Sequence, residues 1–334
     1  MGEAIRCAVV GYGPEFNMGK RHGEWIEAAE GLKLVGVCDI NPERLEAAKR
    51  DFPHVETFES LDEMLERLDF DLAVIVTPHN THAPLALKCI EAGKHVVVEK
   101  PMCVTVDEAT RMIEAAKERG VTLTVFQNRR WDGDFLAIKE AVEGGAIGRV
   151  FRVEMFIGGY GRPRDWWRSD KEVSGGLFLD WGAHMLDWLL GIVRSKVKGV
   201  AGYAHKLVWR HTTIEDHVGA LIYFEDGTVA DVQISTIAAL RKPRWAIWGT
   251  RGAIVSTSPQ DIRLLRADES GNVEEERLEP KPSDWGAFYR NLAAHLLRGE
   301  ELAVKPEEAR RNIAIMEAAM KSARTGKVEP VPFE

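Results

Sequence analysis

The sequence predicts an α/β amino-terminal half, a doubly wound parallel sheet, followed by an α+β half with an open, mainly antiparallel sheet. Three observations carry that expectation. Up to about residue 127, short apolar runs alternate with helical segments, the repeated βα pattern of a parallel sheet. From Arg149 onward, strand-like runs follow one another across short turns such as Asp226-Gly227, with no long helices between them, which is the texture of antiparallel pairing. Finally, 334 residues exceed what one core usually serves. The expected division is 1–127 and 128–334, closely packed, since no repeat or low-complexity linker separates the two parts.

Composition narrows the partners. An apolar content of 45% with 29% charged residues is ordinary for a globular protein. The formal charge of −8 leaves no stripe of Lys and Arg to displace counterions from phosphates, so nucleic acid is not an expected partner. No run approaches the roughly 18 apolar residues of a membrane span, and Met1 to Arg6 pass straight into a strand, so neither a membrane segment nor a leader is expected. Cys7, Cys38, Cys89 and Cys103 lack metal-type spacing, and three of them sit in or beside apolar runs. They read as reduced structural thiols of a cytoplasmic protein.

The first apolar run, Ile5 to Val10, meets Gly11-Tyr12-Gly13 directly. A strand leading into a glycine pair and then a helix is the context of a phosphate-binding turn: one glycine turns the chain, the next admits the pyrophosphate, and the helix N-terminus supplies N–H groups. Phe16 stands where a third glycine is usual and Gly19 follows three residues later, so the turn is expected to be enlarged between Gly13 and Gly19. The second strand, Leu34 to Cys38, ends on Asp39, followed by Ile40. A carboxylate there accepts from adenine-ribose hydroxyls and repels a 2′-phosphate, favouring NAD over NADP. Asn41 is available to cap the helix that starts near Pro42.

A short strand at Glu56 to Phe58, a helix from Leu61 and a strand from Leu72 to Val76 come next. The last runs into Thr77-Pro78-His79-Asn80-Thr81-His82, a loop expected beside the nicotinamide. His79 and His82 have no Cys or carboxylate at ligand spacing, so no metal site is expected. After a helix through Ala92 and a stop at Gly93 comes His95-Val96-Val97-Val98-Glu99-Lys100-Pro101. Val96 to Val98 read as a buried strand whose first polar residues, Glu99 and Lys100, emerge at the carboxyl end, where open α/β sheets bind ligands. Pro101 biases the Lys100 backbone toward extended geometry. A helix over Val106–Arg119 and a strand from Thr122 to Phe126 complete six strands, ending at Gln127-Asn128-Arg129-Arg130.

In the second half, strands are expected at Val150 to Ile157, Val218 to Phe224, Thr228 to Ile234, Trp245 to Trp248, Ala253 to Thr257 and Ile262 to Ala267. Helices follow at about Trp285 to Arg298 and Pro306 to Ala323. One face of such a sheet is free for a partner subunit. Within this half, Gly175-Gly176 precede Asp180 and His184; on a helix, residues four apart share a face and reach one substrate, and Asp187 falls on that side too. The glycine pair permits close approach of a backbone or ligand. Upstream stand Arg162, Arg164, Trp166, Trp167 and Arg168. Aromatic faces pack on sugar C–H faces while guanidinium groups hold hydroxyls or carboxylates, with Trp167 and Arg168 nearest the motif.

Taken in order, Gly11-x-Gly13, Thr77-Pro78 with His82, Glu99-Lys100-Pro101, Asn128-Arg129-Arg130, and Gly175-Gly176 with Asp180 and His184 closely resemble the Gfo/Idh/MocA superfamily, the relatives of glucose-fructose oxidoreductase and inositol dehydrogenase. The resemblance spans essentially the whole chain; the enlarged glycine turn is a departure. It implies a Rossmann domain, a carboxyl-terminal domain on an open sheet, NAD(P)-dependent redox chemistry on sugars or cyclitols, and a homodimer or homotetramer through that sheet. The expected cofactor-binding residues are Gly11, Tyr12, Gly13, Asp39, Ile40, Thr77, Pro78, Asn80, His82, Glu99, Lys100 and Asn128. Those expected on substrate are Lys100, Trp167, Arg168, Asp180 and His184, with Lys100, Asp180 and His184 the catalytic set of the family resembled.

Alcohol oxidation needs a base for the hydroxyl proton and a charge on the developing alkoxide. His184 suits the first, since imidazole titrates near neutral pH, Lys100 the second, and Asp180 orients the hydroxyl or tunes both. Two alternatives stand beside a dehydrogenase. One is a glycoside hydrolase that oxidises a sugar carbon transiently, eliminates the glycoside and reduces again, as some members of that family do. The other is a dinucleotide-sensing regulator without chemistry, against which the intact Lys100, Asp180 and His184 speak.

Overall fold

The computed structural model describes residues 4–334; Met1, Gly2 and Glu3, which lead into the first strand in the sequence reading, lie outside the described residues. The chain divides into two compact units, residues 1–127 with 286–310 and residues 128–285 with 311–334.

The first unit carries a parallel sheet of β1 (Ile5–Val10), β2 (Leu32–Cys38), β3 (Glu56–Phe58), β4 (Leu72–Ile75), β5 (His95–Val98) and β6 (Leu123–Val125), in the order β3-β2-β1-β4-β5-β6. Between them run α1 (Met18–Ala28), α2 (Pro42–Asp51), α3 (Leu61–Arg67), α4 (His82–Glu91) and α5 (Val106–Arg119). Chain order reverses between β1 and β4, which pair directly, so the carboxyl ends of those two strands flank the topological switch point. Strands covered on both faces lack polar alternation: every residue of β4 and Val96 to Val98 of β5 are buried. Local signals set the helix ends. Asn41 accepts from the Glu43 N–H at the start of α2, and Thr105 with Glu108 forms a capping box that starts α5, which Gly120 ends in the left-handed region.

The second unit carries an eight-stranded sheet: β7 (Val150–Gly158), β8 (Val197–His205), β9 (His217–Phe224), β10 (Val229–Ser235), β11 (Trp245–Gly249), β12 (Gly252–Ser258), β13 (Asp261–Ala267) and β14 (Val273–Leu278). Its order is β14-β13-β12-β11-β7-β10-β9-β8, antiparallel throughout except for β7 and β10. The helices are α6 (Gly133–Glu143), α7 (Lys171–Ser174) and α8 (Leu177–Ile192), the last lying against β7, β9 and β10. Here the strands alternate: Val153, Met155, Ile222, Val232 and Ile234 are buried, while Arg152, Glu154, Tyr223, Asp231 and Gln233 on the other face are half-buried.

Four elements lie beyond the sequence expectation: α6, the one-turn α7, β8 and β14. Gly199 and Gly202 mask β8; Gly202 is required because a Cβ there would come within 2.0 Å of the Ala319 carbonyl oxygen. The edge strand β14, Val-Glu-Glu-Glu-Arg-Leu, is mostly exposed, and its charges both hide it as a strand and keep the edge from pairing with other chains.

The helix α9 (Ala287–Arg298) corrects the division 1–127 and 128–334, because residues 286–310 pack with the first unit. Phe288 and Tyr289 on its buried face sit against Phe126, and Val304 beyond it accepts from the Thr124 hydroxyl at 2.8 Å. An amphipathic pattern says that a face is buried, not what buries it. The last helix, α10 (Pro306–Thr325), crosses the third point of division, between residues 310 and 311.

Candidate functional site

At the end of β1, Gly11 has φ +101°, and a Cβ there would lie 2.4 Å from the Val76 carbonyl oxygen. A Cβ on Gly13 would meet nothing within 4 Å. The third glycine's packing role falls to Gly19 on α1, where a Cβ would be 2.6 Å from the Gly11 oxygen. The enlarged turn therefore keeps the close approaches at Gly11 and Gly19 and bulges through Phe16 and Asn17, both at positive φ. These residues suit a dinucleotide pyrophosphate: the close approaches are forced, and the backbone at Gly13 opens onto free space.

Asp39 ties this turn to the end of β2. Its carboxylate accepts from the Tyr12 N–H at 2.6 Å and from the Asn41 N–H at 2.9 Å. The Tyr12 hydroxyl donates to Asp51, which also pairs with Lys20, so the Tyr12 side chain points back into the protein. Ile40 is 89% exposed.

Beyond β4, Thr77 and Pro78 lead into a 3-10 turn over His79–Thr81, with Asn80 exposed. His82 is 1% exposed, and its two ring nitrogens each lie 2.8 Å from a backbone carbonyl, those of Pro101 and Thr77. It clips together the loops after β4 and β5. Burial lowers its pKa, outweighing the two carbonyls and the pull of Glu99. After β5, the Glu99 carboxylate accepts from the Lys100 N–H at 3.0 Å, and the Lys100–Pro101 peptide is cis.

Two residues of this region were not singled out from the sequence. His22 on α1 is fully buried, with Nε2 3.0 Å from Glu99 Oε1 and Nδ1 2.5 Å from the Tyr289 hydroxyl of α9. A signal for His22 existed: it lies three residues after the packing glycine Gly19, on the same helix face. Nothing local announces Tyr289.

In the second unit α8 carries Asp180 and His184 one turn apart. Gly175 and Gly176 have φ +81° and +109°, and what approaches Gly176 closely is Glu215, whose carboxylate would lie 2.8 Å from a Cβ. Glu215 accepts from the Leu177 N–H at 2.9 Å, capping α8, and pairs with Lys171. Asp180 accepts from Arg168 at 3.2 Å. The Arg168 guanidinium lies 5.3 Å from the Trp166 ring centroid and 5.0 Å from that of Trp167, a cation–π setting that leaves it little freedom. His184 is 5% exposed, edge-on to Trp181 and nearly parallel to Trp188. Asp187 is held by a two-pronged pair with Arg130 at 2.8 and 2.7 Å, so it anchors the helix to the segment that starts at the buried Asn128.

Residues 5–127 match the family model described as an oxidoreductase family with an NAD-binding Rossmann fold, and residues 135–255 match the GFO/IDH/MocA C-terminal domain. The scyllo-inositol 2-dehydrogenase (NADP(+)) IolW of Bacillus subtilis is 28% identical, with 96% of this chain and 94% of that protein covered. The uncharacterized oxidoreductase YdgJ of Escherichia coli is 31% identical over 90% of this chain and 83% of its own length. Among solved structures, the WlbA dehydrogenase of Bordetella pertussis, in complex with NADH and UDP-GlcNAcA, superposes with a TM-score of 0.83 at 27% identity, covering 99% of this chain and all of that one. With both of its domains matched in sequence and fold, the chain belongs to the Gfo/Idh/MocA family of oxidoreductases.

Proposed function

We propose that the protein is an NAD-dependent dehydrogenase acting on a hydroxyl or keto carbon of a sugar, sugar derivative or cyclitol. The observation that carries this reading is the end of β5, where a nearly buried carboxylate fixes the Lys100 backbone at the carboxyl edge of the parallel sheet. Gly11, Gly13, Asp39 and Thr77 would hold the dinucleotide, which supplies the hydride acceptor when bound. Lys100 stabilises negative charge on the substrate oxygen, His184 takes and returns its proton, and Asp180, held by Arg168, accepts from a substrate hydroxyl. Trp167 and Arg168 suit a polyhydroxylated ligand, one offering a C–H-binding face and the other hydrogen-bond donors.

The NAD preference rests on Asp39, whose carboxylate repels a 2′-phosphate. The Bacillus relative is named for NADP(+), so this residue, and not family membership, is what argues for NAD. The half-buried outer face of the second sheet is the surface we assign to another copy of the chain, in the cytoplasm. The test is a screen of inositols, aldoses, anhydrosugars and sugar acids with NAD and, separately, NADP, read as reduced-nicotinamide absorbance. Signal with NAD on one polyol class is expected, with a lower KM for NAD than for NADP. A lower KM for NADP overturns the Asp39 argument. Silence across the panel with NAD copurifying shifts the reading to transient oxidation and calls for glycoside substrates.

A further inference from the structure

We propose that Tyr289, His22 and Glu99 form a hydrogen-bonded chain within the first unit that holds the Glu99 carboxylate anionic against Lys100, so that His22 and Tyr289 are positioning residues for that lysine. His22 and Tyr289 are both fully buried and Glu99 is 13% exposed. Trp25 and Phe126 line His22, and Phe288 packs on Phe126 and Tyr289. A polar chain in such surroundings is retained at a cost unless each group is served, and here each is.

The direction of the chain follows from its ends. Burial, with Cys7 and Glu99 nearby, holds the Tyr289 phenol well above its ordinary pKa, so it is an O–H donor. Donating into Nδ1 at 2.5 Å, it leaves the ring proton on Nε2, which donates to Glu99 Oε1 at 3.0 Å. The other carboxylate oxygen is left to accept from the Lys100 N–H. The groups facing Glu99 are His22 from α1, Lys100 beside it and His82 from α4, with Tyr289 of α9 on the far side of His22 and Cys7 of β1 near Tyr289. Burial raises Glu99, but the hydrogen bond from His22, with the Lys100 ammonium beside it, outweighs burial, and the net direction is down. Without His22 the largest of the opposing contributions is gone and burial pushes Glu99 up, toward the protonated form, which removes the fixed negative charge beside Lys100.

The inference rests on the proposed role of Lys100, and the test separates the two. In His22→Phe a ring still fills the aromatic pocket but cannot hydrogen-bond; in His22→Gln the amide restores a donor toward Glu99 and an acceptor toward Tyr289; Tyr289→Phe removes only the hydroxyl. The first readout needs no activity: the infrared band of a protonated carboxyl, assigned by its loss on adding Glu99→Gln. We expect it absent at neutral pH in the wild type and in His22→Gln, and present in His22→Phe. The second readout is the pH profile of turnover. Its acid limb should move up by about one pH unit or more in His22→Phe, about a tenfold loss below that limb, less in Tyr289→Phe, and return in His22→Gln. Should His22→Phe not fold, the same two readouts on Tyr289→Phe decide. Absence of the band together with an unmoved acid limb in the folded variants overturns the relay. Full turnover in Lys100→Ala with the band behaving as expected overturns the role of Lys100 instead.

Discussion

The two units use different means to fix the side chains proposed to react. In the first, Lys100 is placed by backbone: a short buried strand ends, and the first polar residues emerge at a sheet edge, backed by a carboxylate one residue away. In the second, Asp180 and His184 are placed by side chains that arrive from elsewhere in the unit: Arg168 lying against two tryptophans, Glu215 capping the helix, and Arg130 clamping Asp187. A strand end is a rigid mount set by local pattern, whereas a helix start beside two glycines needs partners to hold it. The comparison therefore predicts that damage at the first region is chemical and damage around the second is mostly structural.

The largest effect falls on the reactive groups themselves. Lys100→Ala and His184→Asn should each lower turnover by about 10²–10⁴-fold, the usual contribution of a positioned acid or base, while still binding NAD. Fluorescence titration with NAD alongside initial rates separates the two effects. Next, Glu215→Ala leaves the Leu177 N–H and Lys171 without their buried acceptor and should destabilise the protein by about 1–3 kcal/mol. A urea melt would show it, and NAD affinity should not change; an unchanged melting curve would mean that α8 does not depend on that cap.

How far all this was legible in the sequence follows the same divide. β1, β5 and α5 announce themselves, since Ile5 to Val10 and Val96 to Val98 are apolar runs closed by glycine or charge and Thr105 with Glu108 is a local capping signal. Asp39, Lys100, Asp180 and His184 were nameable because each lies at a strand end or in a helical repeat. Glu215, Arg130 with Asp187, and Tyr289 with His22 were not readable as partners, because each pairing joins segments far apart in sequence and no local pattern encodes a long-range contact. The placement of α9 in the first unit was missed for the same reason. His82 carries a structural role that its place in the motif did not announce: buried between two carbonyls, it joins the loops after β4 and β5.

Smaller effects sharpen the comparison. Arg168→Gln breaks a pair whose partners are each 22% exposed, so about 0.2–1 kcal/mol is at stake. It should raise KM for the substrate several-fold and leave NAD affinity alone; a loss confined to kcat would place Arg168 in the chemistry instead. His82 makes an acid-side prediction. Its pKa is lowered in the folded state, so its contribution to stability is complete above the ordinary histidine value of about 6.5 and is lost as pH falls from there through the lowered value. Urea midpoints should therefore decline in that window, and less so in His82→Gln; equal declines would assign the acid limb to His95 and His217, which are also lowered by burial.

The most direct test of the account is a paired measurement on the substrate the screen selects: NAD-dependent turnover and NAD binding in wild type and Lys100→Ala. The expected result is that the variant still binds NAD and, with NAD saturating, loses at least about a hundredfold in turnover. Turnover near wild type, with the variant folded and NAD bound, would contradict the claim that the end of β5 carries the chemistry.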